Sequence, residues 1–184
     1  MKKISEKMIF EGEWLSLYET VYEDKDGVPI AWESVRRKKT VAGVAIVAKL
    51  FSSKRFIIIK QFRPAVGGSI LSFPAGLSHG DPAHALVELK EETGYVGKIV
   101  LVSPALKTGA SLIDDNGQVV YIEVDEKDPA NQNPRQALEP GEVIEVFLVK
   151  KEEAKDFLLR EHAKGAHISS NLWYFFVLSG MVLD

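Results

Sequence analysis

The sequence predicts an α+β fold built on a mixed β-sheet, preceded by a small N-terminal β-hairpin subdomain. Three observations lead there. Hydrophobic residues make up 46% of the 184, enough for a substantial core in a chain of one-domain length. Apolar, β-branched runs dominate the first half. The order of elements is β-rich runs, one helix, more strands and then two helices, which is not the regular alternation of a parallel βαβ array.

Each element has its own signal. "WLSLYETVYEDKDGVPIAWESVRR" (14–37) reads as two β-runs about a turn at Asp24-Lys25-Asp26-Gly27. A lone hairpin is marginal in water, so it must pack on the rest of the chain or on a second copy. "VAGVAIVAKL" (41–50) and "RFIIIKQF" (55–62) are apolar strands joined at Ser52-Ser53-Lys54. "SILSFPAG" (69–76) is a further short strand. Asp81 is placed to N-cap a helix, Pro82 suits its first turn and Gly94 suits the position past its end. That helix is expected over about 82–93. Strands are expected at 97–104, 117–125 and 142–149, with a hairpin turn in "SLIDDNGQ" (111–118). "KKEEAKDFLLREHAKG" (150–165) reads as an amphipathic helix ending at Gly165. Ser169 or Ser170 can cap a last helix carrying Trp173, Phe175 and Phe176.

Composition narrows the function. The net charge of −3 is not that of a chain built to coat nucleic acid. With no cysteine there is neither a disulfide nor a thiolate zinc site, which suits a reducing, cytoplasmic location. The N-terminus shows no apolar core of a signal peptide. The longest apolar run, "LWYFFVLSGMVL" (172–183), is too short to span a bilayer and reads as a buried C-terminal helix. Neither nucleic acid nor membrane is expected as a partner.

The chemistry concentrates in "GLSHGDPAHALVELKEETGY" (76–95). Glu88, Glu91 and Glu92 are spaced i, i+3, i+4 and share one helix face, where like charges repel. They also sit at the C-terminal end, whose partial charge is already negative. A solvated acidic patch is one reading. The other is a divalent cation, because clustered hard oxygen ligands suit Mg²⁺ or Mn²⁺. Lys60 and Arg63 in "KQFRP" are candidate phosphate or carboxylate partners upstream.

This stretch resembles a Nudix box, G-x5-E-x7-R-E-U-x-E-E-x-G-U, where U is bulky and apolar. Gly76 stands at its first glycine, and Glu88, Leu89, Glu91, Glu92, Gly94 and Tyr95 match its second half. "EGEW", "WESVRR", "GVAIVAKL", "IIIKQFRPAVGG", "FPAGL", "SPA" and "PGEVIEV" extend the likeness, in order, to the ADP-ribose (ADP-sugar) pyrophosphatase branch over most of 10–148. The box departs from its pattern. It is three residues short between Gly76 and Glu88, "SHGDP" replaces the stretch that carries the loop acid, and Val87 stands in place of the arginine. Ser72 precedes "FPAG" where this branch often has Glu.

The resemblance implies an α/β/α sandwich over 41–184, with residues 1–40 forming a β subdomain for dimerisation and base stacking. It implies Mg²⁺ (or Mn²⁺) on Glu88, Glu92 and the Ala75 carbonyl, with Glu91 nearby. It implies Glu142 as the residue that orients or deprotonates water, with Glu91 the alternative base. Arg63 would hold a phosphate, Trp14 and Trp32 would stack the base across a homodimer, and Glu33, Arg37 and Leu77 would complete substrate binding. The implied reaction is metal-dependent hydrolysis of a nucleoside diphosphate linked to a sugar, ADP-ribose to AMP and ribose 5-phosphate. The alternatives are a non-catalytic nucleotide-binding module, favoured by Val87 and the short loop, or hydrolysis of another nucleotide sugar such as GDP-mannose. His79 and His84 flank the short loop and can stand in for its missing polar groups.

Overall fold

A computed structural model describes residues 1–38, 42–78 and 80–180. His79, Val41 and the last three residues of the C-terminal apolar run lie outside the described residues. Along the chain come β1 (Lys2–Glu11), β2 (Leu15–Glu23), β3 (Pro29–Arg37), β4 (Ala42–Leu50), β5 (Arg55–Arg63), β6 (Gly68–Ser72) and β7 (Ala75–Ser78). Helix α1 (His84–Thr93) follows, then β8 (Lys98–Val102), β9 (Leu106–Lys107), β10 (Asn116–Val124) and β11 (Ile144–Lys150). The chain then runs through α2 (Lys151–Ala163), β12 (His167–Ile168) and α3 (Ser170–Phe176). Two compact units result: Met1–Gly43 with Leu77–Asp81 and Ser103–Gln118, and Val44–Gly76 with Pro82–Val102 and Val119–Asp184.

In the first unit β1, β2 and β3 form an antiparallel sheet in that order. The β2–β3 turn forms where its residues predict it. The Asp24 carboxylate accepts from the N–H groups of Asp26 (2.8 Å) and Val28 (2.9 Å), and Gly27 takes φ 79°, the turn chemistry of an Asp followed by Gly. Strand β1 has no counterpart in the sequence reading. All ten of its residues are exposed, so it carries no inward-facing apolar pattern. Pairing with β2 and a cross-sheet charge cluster hold it: Glu6 accepts from Arg36 (3.1 Å), Thr20 (3.2 Å) and Lys3 (2.8 Å). The 111–114 segment lines the other edge, where Val35 N–H donates to Leu112 O at 2.8 Å. β9 and the start of β10 pair around it as the expected hairpin.

The second unit contains most of a sheet ordered β12-β6-β5-β4-β10-β8, with β11 also on β5. β12 runs parallel to β6 while β5 is antiparallel to β4, β6 and β11, so the sheet is mixed. Alternation along β5 divides the core. Phe56 and Ile58 face a layer containing Leu158 of α2 and Leu172 and Phe176 of α3. Ile57 faces the other layer, with Ala85 and Leu89 of α1 and Val120 and Ile122 of β10. Helices therefore cover both faces, and the buried interior comes from period-2 strands meeting period-3.6 helices.

Local departures have local causes. The predicted 69–76 strand breaks at Phe73-Pro74 into β6 and β7, because proline has no N–H for the ladder. Helix α1 begins at His84, with Ala83 at the N-cap and no side-chain cap, rather than at Asp81 and Pro82. The chain is already turning there, since Ala85 N–H reaches Pro82 O at 3.1 Å. Ser169 does occupy the N-cap of α3, but its hydroxyl meets Asn171 and not a backbone N–H. Among the described residues no helix is long and apolar enough to cross a membrane.

Candidate active site

Two backbone positions at the start of β7 receive the carboxylates of α1. Gly76 has no side chain, and the space is taken by Glu88: a Cβ there would lie 1.9 Å from the Glu88 carboxyl carbon. One residue earlier, the Ala75 N–H donates to Glu92 Oε2 at 3.0 Å. Glu92 is only 3% exposed, whereas Glu88 and Glu91 are half-buried. On the other flank of Glu88, His84 Nε2 lies 3.3 Å from Glu88 Oε1, one helical turn back. His84 thus supplies a polar neighbour to Glu88, while Val87 is 44% exposed.

The charges are crowded. Burial pushes the Glu92 carboxyl up to about 7, the Ala75 N–H opposes that, Glu88 and Glu142 reinforce it, and Arg63 opposes it. Burial also raises Glu88; His84 lowers it, and Glu91, Glu142 and Glu139 raise it further. A raised carboxyl among like charges is where a cation stabilises the ionised forms.

Glu142 reaches this field from the loop before β11. Pro140-Gly141 makes a turn in which Glu142 N–H donates to Glu139 O (3.1 Å) and Glu139 N–H donates to the Glu142 carboxylate (3.1 Å), with Gly141 at φ 92°. Proline then glycine at the turn centre is the pattern that needs such a φ. Arg63 closes β5, is exposed and forms no ion pair among the described residues. Lys60 lies elsewhere: it pairs with Glu145 (3.0 Å) and Glu161 (3.6 Å). It is a carboxylate partner, but not of α1.

The remaining predicted residues sit in the first unit. Trp14 is 70% exposed and Trp32 is 53% exposed, and the Trp32 indole N–H donates to Ser111 O at 3.3 Å. Arg37 pairs with Asp115 at 3.0 Å. Glu33 stands opposite Glu19 in the sheet, and Leu77 is exposed on β7. Near Trp32 a cavity of about 340 Å³ is lined by Thr20, Arg36, Lys107 and Ile113 among others.

A mouse ADP-sugar pyrophosphatase is 35% identical to this chain over 172 residues, covering 88% of the chain and 78% of the mouse protein. The chain belongs to the Nudix hydrolases. An ADP-ribose pyrophosphatase of Saccharomyces cerevisiae is 34% identical over 171 residues, 86% of this chain and 74% of the yeast protein. No protein-family profile matches the sequence. A crystal structure of an ADP compounds hydrolase superposes with a TM-score of 0.66 over 90% of this chain and 96% of the other, at 18% identity; that likeness supports the Nudix fold alone.

The donor set fits the divalent cations that Nudix hydrolases generally use. Its donors are hard oxygens, and two of the carboxylates are raised by burial and mutual repulsion. Among the described residues no three His, Asp or Glu side chains already form a complete cage. Mg²⁺ does not need one, since it takes one or two carboxylates and completes its shell with water and phosphate. Glu139 and Gln136 join these residues without a prediction from the sequence. The signal for Glu139 was the Pro140-Gly141 turn that sets it beside Glu142; Gln136 had none.

Proposed function

We propose that this Nudix hydrolase cleaves ADP-ribose with water to AMP and ribose 5-phosphate. The observation that carries the reading is Glu92: buried, bonded by the Ala75 N–H, and sharing one electrostatic field with Glu88, Glu142 and Arg63. Glu88 and Glu92, with the Ala75 carbonyl and Glu91, would hold Mg²⁺, with Mn²⁺ as a substitute. When bound, such a cation neutralises charge on the diphosphate oxygens and favours attack at phosphorus.

The chain's own residues do the rest. Arg63, at the end of β5 and without an ion-pair partner among the described residues, donates a forked pair of hydrogen bonds to a phosphate. Glu142, anchored by its own turn, orients the attacking water and accepts its proton. Glu91 is the alternative base. Trp14 and Trp32 stack the base, at about 1–3 kcal/mol per stacked base. Glu33 accepts from an exocyclic amine, Arg37 reaches phosphate or ribose, and Leu77 adds apolar contact.

We also propose a homodimer formed through residues 1–40. Ile4, Met8, Phe10 and Ile30 are exposed on the three-stranded sheet, and β1 is its edge strand. Exposed apolar residues beside an unpaired edge favour a second copy. The absence of cysteine accords with a cytoplasmic location.

The test is release of the nucleoside monophosphate by purified protein, AMP from ADP-ribose and GMP from GDP-mannose, with Mg²⁺ or Mn²⁺, and with EDTA and Glu92→Gln as controls. Metal-dependent AMP release lost in both controls is expected. Tight nucleotide binding without turnover would establish a binding module instead. Preference for GDP-mannose would move the substrate.

A further inference from the structure

The last carbonyls of a helix have no partner inside it and need donors from elsewhere. In α1 the last two of those donors come from one loop. Lys90 O is taken by the capping Gly94 N–H at 2.8 Å. Glu91 O accepts from Ala137 N–H at 2.9 Å. Glu92 O accepts from the side-chain amide of Gln136 at 2.6 Å. The same Gln136 nitrogen also donates to Ile144 O at 3.1 Å. Ile144 opens β11 and lies two residues past Glu142. One amide therefore ties the main chain of a proposed metal-binding carboxylate, Glu92, to the strand that follows the proposed base, Glu142.

The neighbouring contacts leave this loop little room. A Cβ on Gly94 would meet Arg135 N at 2.3 Å and the Pro134 carbonyl carbon at 2.7 Å, so the loop backbone runs directly against the helix end. Further back, Asn131 exchanges hydrogen bonds with Val96, donating to its O at 2.9 Å and accepting from its N–H at 2.8 Å. Between Gln136 and Ile144, the Glu139–Glu142 turn links the loop internally. Without Gln136 the loop would still be anchored at Asn131 and Ala137, but the stretch carrying Glu142 would lose its cross-tie to α1.

We infer that Gln136 is a positioning residue for the reaction: its amide sets the spacing between the carboxylates of α1 and Glu142. The inference rests on the reading of Glu142 given above. It assigns no contact between Gln136 and substrate.

The experiment compares wild type, Gln136→Ala, Gln136→Glu, Glu142→Gln and the Gln136→Ala/Glu142→Gln double variant. Gln136→Glu keeps the shape but has no N–H to donate. Steady-state AMP release from ADP-ribose with Mg²⁺ is read beside amide hydrogen exchange across 139–143 and the melting temperature. The expected result is a fall in kcat of about 10–100-fold in both Gln136 variants, with KM within about twofold of wild type. The Gln136→Ala effect should vanish in the Glu142→Gln background, as residues acting as one unit require. Exchange across 139–143 should quicken. An equal fold-loss in both backgrounds, or unchanged kcat and exchange, overturns the inference. If wild type releases no AMP, or Glu142→Gln matches it, the functional reading fails separately. Exchange then decides on Gln136 alone: faster exchange in Gln136→Ala keeps the tie, and unchanged exchange removes it.

Discussion

Replacing Gly76 with alanine tests the placement of Glu88 directly. The added Cβ would lie 1.9 Å from both the carboxyl carbon and Oε1 of Glu88, and 2.4 Å from its Cγ. Carbon contacts settle at about 3.5–4.0 Å, so the carboxyl must retreat by about 1.5–2 Å. A misplacement of about 1 Å in a reacting constellation costs about 100-fold in rate, or about 2.7 kcal/mol of barrier. The backbone at Gly76 is not in the left-handed region, and alanine in a strand is favoured over glycine by about 0.5–1 kcal/mol. Only the mobile end of one side chain has to move, so stability should stay within about 1 kcal/mol of wild type. The assay is kcat for AMP release, with Mg²⁺ binding by calorimetry and a denaturant melt on the same preparation. Expected are a loss of about 100-fold or more in kcat, weaker Mg²⁺ binding and an unchanged melt. Full activity and full Mg²⁺ affinity in Gly76→Ala would refute the assignment of Glu88 as a metal ligand.

Three other outcomes follow from the same geometry. Gly94→Ala should be structural: the position has φ 79° and the new Cβ meets loop backbone, so a loss of at least about 2 kcal/mol is expected, read as a Tm lower by about 4–8 °C. Glu92→Gln should abolish turnover while raising thermal stability in EDTA, because it removes a buried charge beside Glu88 and Glu142; a lower Tm would contradict the burial argument. Glu6 is held down to about 2 by Arg36 first and Lys3 next, against an ordinary value of 4.5. Its folded value is depressed, so its stabilisation is fully present above about 4.5 and is lost as pH falls through about 2. Glu6→Gln should therefore flatten the acid limb of the stability–pH curve, and an unchanged limb would discount the Glu6–Arg36 pair.

The acidic helix was legible because its information is local. Glu88, Glu91 and Glu92 fall on one face by helical spacing alone, and Gly94 marks its end because few other residues tolerate φ 79°. The strands of the second unit were legible from apolar alternation, and the β2–β3 turn from Asp24 and Gly27. Strand β1 was not, because no residue of it is buried and pairing to β2 is made by backbone groups that every residue carries.

Sequence by itself determined which groups are available: three helical carboxylates, a glycine ahead of them, an arginine at a strand end, and a Pro140-Gly141 turn beside Glu142. Tertiary structure alone decided how they meet. It seated the Glu88 carboxyl over Gly76, placed His84 3.3 Å from Glu88, sent Lys60 to Glu145 and Glu161, and tied Gln136 across 44 residues to Glu92 O. For Gln136 the physical reason is plain. A side chain that bonds a main-chain carbonyl leaves no mark at the acceptor position, so a partner of that kind emerges only when the chain is folded.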